Sequence, residues 1–180
     1  MNEPKWRSEV LLRPAKTGDI AAITRIYADA VTHGTASFEL EPPDEAEMTQ
    51  RYETLVGNGY PYLVAEVSGA IAGYAYAGPY RARPAYKWTV ENSIYVSPQF
   101  HRRGIGLRLL KELIVESERR GFRQMIAVIG DSAQTPSIAL HKAAGFEPVG
   151  TLRSVGFKHG KWLDTPLMQI ALGKADTAPP

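Results

Sequence analysis

The chain has 180 residues, the length of a single domain with a hydrophobic core of its own. Its 44% hydrophobic and 22% charged residues are typical of a globular protein, and a net charge of +2 is too small to indicate nucleic-acid binding. The chain has no cysteine, so disulfides and cysteine chemistry are not expected. It has no apolar run of membrane-spanning length and no clustered histidines, so neither a membrane span nor a metal site is expected. A cytoplasmic location is expected.

The two polar ends of the chain predict flexible segments around one domain. Residues 1–9 are expected to form a flexible N-terminal segment and residues 173–180 a flexible C-terminal tail, which leaves residues 10–172 as the domain. The first strand is predicted at Val10–Arg13, and a helix is predicted to begin near Thr17. The buried stripe of this helix is expected to comprise Ile20, Ile23, Tyr27, Ala30 and Val31.

A second helix and a hairpin follow. The acidic turn after Pro42-Pro43 predicts a helix through Val56, because acidic side chains stabilise the positive end of the helix dipole. Tyr62–Val67 and Ala70–Ala77 are predicted to pair around Ser68-Gly69. The next segment, 78–86, carries two prolines and Arg81 and Arg83 between tyrosines. It is interpreted either as a surface loop with solvated cations or as a loop that recognises an anion.

The strand predicted at Trp88–Val96 contains one acid, Glu91. Regular alternation places Glu91, Ser93 and Tyr95 on one face and Val90, Asn92, Ile94 and Val96 on the other. If Glu91 is buried, its pKa rises and it becomes a better proton acceptor near neutral pH; the alternative is an exposed acid on a half-wet strand.

The turn after this strand has the composition of an anion-binding site. Arg102 and Arg103 lie beside Gly104 and Gly106, and helical spacing from Leu107 to Ser117 follows, with Gly121 as a stop. The free N–H groups and the dipole at a helix N-terminus attract phosphate or pyrophosphate. The other interpretation is a glycine-containing turn with two solvated arginines, and neither a Walker loop nor a dinucleotide fingerprint is present.

The C-terminal part predicts a strand, a helix and a closing hairpin. Arg123–Ile129 is nearly all apolar, so a central strand covered on both faces is expected. Thr135 is predicted to cap a helix with Pro136 at its first position, running to Ala144 and carrying Ser137 and His141 on one face. Residues 146–157 and 165–172 are predicted to pair around Lys158-His159-Gly160-Lys161.

The segment His101-Arg102-Arg103-Gly104-Ile105-Gly106 resembles the pyrophosphate loop of the GNAT N-acetyltransferases, Gln/Arg-x-x-Gly-x-Gly/Ala, with His101 at the Gln/Arg position. Ser137-x-x-Leu140-His141-x-x-x-Gly145-Phe146 is similar to their C-terminal signature, in which Gln134 stands where Asn is usual. The resemblance covers residues 10–172. It implies an α/β (α+β) single-domain GNAT fold, with a mixed, largely antiparallel sheet flanked by helices and splayed between the fourth and fifth strands.

Segments at 35–39, 81–86, 89–96 and 156–160 further resemble the phosphinothricin and methionine sulfoximine/sulfone acetyltransferases. This resemblance implies direct transfer of acetyl from acetyl-CoA to the α-amino group of a small amino acid or analogue, without a metal, in a homodimer. The implied catalytic residues are Glu91 as general base and His141 as proton donor to the CoA thiolate. The implied cofactor contacts are Ile94, Tyr95, Val96, Arg102, Arg103, Gly104, Ile105, Gly106, Leu107, Gln134 and Ser137. The implied substrate contacts are Phe38, Glu39, Arg81, Arg83, Asn92, Lys158 and His159.

Within this reading, the amides around Ile94 to Val96 would polarise the acetyl carbonyl, and Arg81 and Arg83 would hold the anionic groups of the substrate. Two alternatives stay open: acetylation of a peptide or protein N-terminus or of another small amine, and a CoA-binding module without turnover.

Overall fold

The computed structural model describes residues 10–179, so the predicted flexibility of residues 1–9 lies outside the described residues. This part of the chain forms one seven-stranded sheet in the order β1-β2-β3-β4-β5-β7-β6. The elements are β1 Val10–Pro14, α1 Ile20–His33, α2 Glu45–Gly57, β2 Tyr62–Val67, β3 Ala70–Pro79, β4 Thr89–Val96, α3 Ile105–Arg119, β5 Gln124–Val128, α4 Thr135–Ala143, β6 Glu147–Lys158 and β7 Lys161–Ala171. The predicted single-domain α/β fold is confirmed.

The sheet is antiparallel except where β4 meets β5. These two strands pair in parallel at only three positions, Thr89 with Gln124, Val90 with Met125 and Glu91 with Ile126. Beyond Glu91, β4 pairs with β3 alone up to Val96. The strands therefore diverge toward their carboxyl ends, which confirms the predicted splay and opens a gap beside residues 92–96.

Helices cover both faces of the sheet. On one face α3 buries Leu109, Leu110 and Leu113 against a core that includes Val90 and Met125. On the other face α1 and α2 pack against an aromatic layer in which the rings of Tyr62, Tyr74, Tyr76 and Tyr95 stack. Because Val90 belongs to the first core and Tyr95 packs against the second, the predicted alternation of β4 is confirmed. None of the helices among residues 10–179 has the length and apolar content needed to span a bilayer.

Three local predictions are corrected by the structure. β5 is central, but only Met125 and Ala127 are buried, whereas Val128 is 37% exposed because this edge of the strand borders the gap. The stripe of α1 buries Ile26, whereas Ala30 is only half-buried. Gln134, not Thr135, precedes α4, and Gln134 makes no side-chain cap bond.

Candidate active site

A cleft of about 980 Å³ occupies the gap between β4 and β5. Its floor is β4, where every residue from Glu91 to Val96 lines it. One end is formed by the turn before α3 and by α4, and the other by the loop after α1, at residues 36–38. The splay of the sheet thus brings the predicted anion-binding turn, the strand acid and the helical histidine to one cavity.

The turn before α3 is shaped by two residues with left-handed backbone. Arg102 has φ 61° and Gly104 has φ 72°, and α3 begins directly after them. Within residues 10–179 the N–H groups of residues 102–107 make no backbone hydrogen bond, and Arg102, Gly104 and residues 105–107 line the cleft. The turn therefore presents unsatisfied donors and positive charge to the cavity, the arrangement that binds phosphate groups.

Two side chains of this turn have partners of their own. The ring of His101 lies with Nε2 2.8 Å from the Val96 carbonyl, so this histidine ties the turn to the end of β4. The guanidinium of Arg103 lies 5.2 Å from the centre of the Phe100 ring, and Arg103 is not among the residues that line the cleft. A Cβ on Gly106 would lie 2.7 Å from Leu140 Cδ1, so glycine allows α3 and α4 to approach closely here.

Glu91 is a half-buried carboxylate on the cleft floor. Burial raises the pKa of Glu91 above its ordinary value, and the positive charge of Arg81 partly opposes this rise. A carboxylate with a raised pKa is a stronger base than an exposed one, which suits it to accept a proton from an amine.

His141 lies under the cleft wall with both ring nitrogens facing oxygen atoms. Its Nδ1 is 2.8 Å from the Ser137 carbonyl oxygen and its Nε2 is 3.0 Å from Asn92 Oδ1. The ring is 5% exposed and contacts Phe146 edge-on. Burial lowers the pKa of His141, and the hydrogen bond to Ser137 opposes this change.

The two predicted substrate contacts in the loop after α1, Phe38 and Glu39, lie in different surroundings. Phe38 lines the cleft and packs against Gly156, whose Cβ, if present, would lie 2.2 Å from the Phe38 ring. Glu39 instead accepts hydrogen bonds from Tyr27 Oη at 2.9 Å and Arg51 Nη1 at 2.7 Å. The structure therefore does not bring Glu39 to the cleft wall.

The two predicted contacts from the β6–β7 hairpin brace this loop from behind. Lys158 is 3% exposed and donates from Nζ to the Ser37 carbonyl at 2.8 Å. Burial lowers the pKa of this ammonium, whereas Glu39 raises it. His159 Nε2 lies 3.2 Å from the Gly34 carbonyl. Neither Lys158 nor His159 lines the cleft, and both hold the backbone that carries Phe38.

Arg81 and Arg83 are exposed, and neither is among the cleft-lining residues. The guanidinium of Arg81 lies 5.1 Å from the centre of the Tyr80 ring, and its charge acts on Glu91. The segment therefore lies near the acid end of the cleft, as the anion-recognition interpretation requires, without forming its wall.

Sequence reasoning missed a contact that joins the two ends of the cleft. Thr35 Oγ1 donates to Asp131 Oδ2 at 3.0 Å and accepts from Gln134 Nε2 at 3.0 Å, while Asp131 Oδ1 accepts from the Ala133 amide at 2.9 Å. We call Thr35, Asp131 and Gln134 the loop latch. Gln134 and Ser137 both line the cleft, as predicted for cofactor contacts, although the amide of Gln134 points to Thr35. The position of Asp131 just after a buried strand is the one sequence signal that could have indicated it.

Tyr27, Tyr76 and Phe100 also line the cleft, and their aromatic character alone did not distinguish them from core residues. Among residues 10–179 no group of three or more His, Asp or Glu side chains is placed to hold a metal ion.

Comparisons with known proteins agree on one family. Residues 21–146 match the model of the acetyltransferase (GNAT) family. The chain is 48% identical to a phosphinothricin N-acetyltransferase of Alcaligenes faecalis over 97% of this chain and 88% of that protein. It is 38% identical to an L-methionine sulfoximine/L-methionine sulfone acetyltransferase of Pseudomonas aeruginosa over 93% and 98% of the two chains. The structure also superposes with a TM-score of 0.93 on a crystal structure of a phosphinothricin acetyltransferase from Sinorhizobium meliloti in complex with acetyl-CoA. The two chains are 51% identical, and the match covers 96% of this chain and 93% of that chain.

Proposed function

The chain belongs to the acetyltransferase (GNAT) family and is an acetyl-CoA-dependent N-acetyltransferase, and from this premise we propose which acceptor and which residues it uses. The acceptor is the α-amino group of a small amino acid or analogue of the phosphinothricin or methionine sulfoximine/sulfone type. Support comes from the names of the two relatives and from the arginines beside the acid end of the cleft.

The observation that carries the proposal is the row of N–H groups at residues 102–107 without a backbone partner in the described part of the chain, in a turn whose residues, apart from Arg103, line the cleft. These donors and the charge of Arg102 fit a pyrophosphate, and the cleft of about 980 Å³ leads from them along β4 to Glu91. Bound there, acetyl-CoA supplies an acetyl group activated as a thioester. The backbone at Ile94 to Val96, which has no partner strand on the β5 side, polarises the acetyl carbonyl.

Glu91 acts as the general base. An α-amino group has a pKa of about 8 and is mostly protonated at neutral pH, so its proton must leave before or during attack. Glu91 accepts this proton directly or through water, the amine nitrogen forms a bond to the acetyl carbonyl carbon, the C–S bond of the thioester breaks, and His141 protonates the departing thiolate. General bases of this kind contribute about 10²–10⁴-fold to the rate.

Arg81 and Arg83 bind the anionic groups of the acceptor, and Phe38 forms an apolar wall. In this proposal Glu39, Lys158 and His159 act on the acceptor site through the loop that they brace. In this proposal the amine lies between the arginines and Glu91.

A homodimer is the proposed assembly. β6 is an edge strand of the sheet, and it and the adjoining β7 expose Val149, Leu152, Val155, Phe157 and Trp162 at 49–67%. A long apolar edge of this kind is a site of association between chains. Location in the cytoplasm stays a prediction.

The test is an acceptor screen with acetyl-CoA and detection of the released thiol, with wild type and Glu91→Gln side by side. We expect turnover with phosphinothricin and methionine sulfoximine, and a loss of about 10²–10⁴-fold in kcat for Glu91→Gln with unchanged acetyl-CoA binding. Preference for peptide N-termini would assign the chain to the other acceptor class, and binding without any turnover would identify a CoA-binding module.

A further inference from the structure

The pair formed by Asn92 and His141 is buried between β4 and α4. Asn92 is 7% exposed and His141 is 5% exposed, although both residues line the cleft. Asn92 donates from Nδ2 to the Ile126 carbonyl at 3.1 Å and presents Oδ1 to His141 Nε2 at 3.0 Å. On its other side the imidazole presents Nδ1 to the Ser137 carbonyl at 2.8 Å.

The chemistry of these atoms favours one arrangement of the protons. A carbonyl oxygen only accepts hydrogen bonds, so Ser137 requires a proton on Nδ1. The Ile126 carbonyl likewise requires the NH₂ group of Asn92, which leaves the oxygen of this amide facing Nε2. An oxygen facing Nε2 is favourable only if this nitrogen also carries a proton. All three hydrogen bonds are therefore satisfied together only in the imidazolium form of His141.

We propose that Asn92 is a positioning residue that keeps a second proton on Nε2 of His141, so that the histidine enters the reaction as an imidazolium. This inference rests on the proposed function for its role in turnover, but the protonation state is a property of the free protein. In the reaction, the Nε2 proton leaves its hydrogen bond with Asn92 Oδ1, the N–H bond breaks, and the proton joins the thiolate sulfur to form the thiol. His141 retains the Nδ1 proton and becomes neutral, while the proton of the amine has gone to Glu91.

The amide of Asn92 also suits the neutral state that follows. Once Nε2 has lost its proton, rotation of the amide by half a turn lets Nδ2 donate to Nε2, at the cost of the bond to Ile126. The charged state thus has three hydrogen bonds and the neutral state two. The next proton from solvent restores the original arrangement.

Burial acts in the opposite direction; the Ser137 carbonyl opposes it at Nδ1, and Asn92 is the polar group in contact with Nε2. Burial lowers the pKa of His141. The ring contacts the Ser137 carbonyl, the Asn92 amide and Phe146, none of which is charged. Charged side chains on the neighbouring elements do not face the ring either. Glu91 lies on the opposite face of β4, and β5 has no titratable residue. Lys111 of α3 and Lys142 of α4 are exposed.

The experiment is ¹⁵N NMR of protein labelled at histidine, titrated without ligands, with the His141 signal assigned from His141→Gln. The variants are Asn92→Leu, which removes the acceptor at similar volume, and Asn92→Asp, which keeps an acceptor and adds charge. We expect both ring nitrogens of wild-type His141 to be protonated near neutral pH. The midpoint of the His141 titration should fall by about one pH unit or more in Asn92→Leu and should rise in Asn92→Asp.

Activity gives a second, separate readout. In the pH profile of kcat, the alkaline limb should move to lower pH in Asn92→Leu and to higher pH in Asn92→Asp. The KM for acetyl-CoA should change little. A merely structural role would shift the titration of both variants in one direction, and that result, or an unprotonated Nε2 in the wild type near neutral pH, would overturn the inference. Because the NMR titration needs no turnover, it stands even if the proposed acceptor is wrong.

Discussion

Glu91 is the residue whose ionisation should govern the rate at low pH. Only its carboxylate form accepts a proton, and burial raises its pKa above the ordinary value of about 4.5. We therefore expect kcat/KM to be low in acid and to increase as Glu91 loses its proton, with a midpoint above that ordinary value. The positive charge of Arg81 favours the carboxylate and keeps this midpoint lower than burial alone would.

Arg81→Gln should accordingly move the acid limb of the kcat/KM profile to higher pH, and the shift should be smaller at high salt because the guanidinium is exposed. Arg83→Gln is the matched control, since Arg83 also belongs to the exposed arginine segment but does not act on the pKa of Glu91. Equal shifts in both variants would show that the acid limb of the profile does not reflect the effect of the Arg81 charge on the ionisation of Glu91.

At the scale of elements, the loop latch joins the loop after α1 to the loop between β5 and α4. Backbone packing between the loops is tight, because a Cβ on Gly130 would lie 2.2 Å from the Thr35 carbonyl oxygen. The first loop carries Phe38, which lines the proposed acceptor end of the cleft, and the second leads into α4 at the proposed cofactor end. The latch therefore joins two loops that both contribute to the cleft wall.

Thr35→Val removes the hydroxyl between Asp131 and Gln134 at nearly unchanged volume. We expect a loss of about 1–3 kcal/mol in the free energy of unfolding, because a buried carboxylate oxygen loses its donor. The KM for the amine should rise more than the KM for acetyl-CoA. The control is Thr49→Val, whose hydroxyl bonds only the Glu45 carbonyl on the surface of α2. A Thr35→Val enzyme indistinguishable from this control in both stability and kinetics would contradict the role of the latch.

At the scale of the whole molecule, the two edges of the sheet differ. β1, at one edge, has five residues, whereas β6, at the other, has twelve and is exposed along most of its length. The register of β6 shifts between Leu152 and Gly156, where Ser154 has φ 52° and its amide donates to Asp164. The exposed apolar side chains of the two hairpin strands flank this irregular segment.

Val155→Glu should dissociate the proposed homodimer, because a charge would have to be buried in the interface. Leu11→Glu is the control on the opposite edge, since Leu11 is 55% exposed and Val155 is 53% exposed. Sedimentation equilibrium should find a dimer for the wild type and for Leu11→Glu, and a monomer for Val155→Glu. A wild type that is monomeric at all concentrations, or a dimer broken by neither change, would remove β6 from the interface.

The amino-acid sequence by itself determined most of the elements and the glycine-containing turn before α3. The alternation of β4, the stripe of α3 and the Arg-Arg-Gly-Ile-Gly turn are local patterns, and local backbone sterics and hydrophobic periodicity suffice to interpret them. The composition of that turn indicated an anion site or a plain glycine-containing turn, and acetyl-CoA was chosen between them by the resemblance of residues 101–106 to the GNAT pyrophosphate loop.

Only the tertiary structure decided which side chains meet. Thr35 and Asp131 are 96 residues apart and Asn92 and His141 are 49 apart, and no local pattern relates them. The same holds for Lys158 and Glu39, which brace the loop after α1 instead of lining the cleft. Sheet order and the divergence of β4 from β5 bring these groups together. Burial then sets the proton affinities of Glu91 and His141, because desolvation depends on the packing of the whole chain.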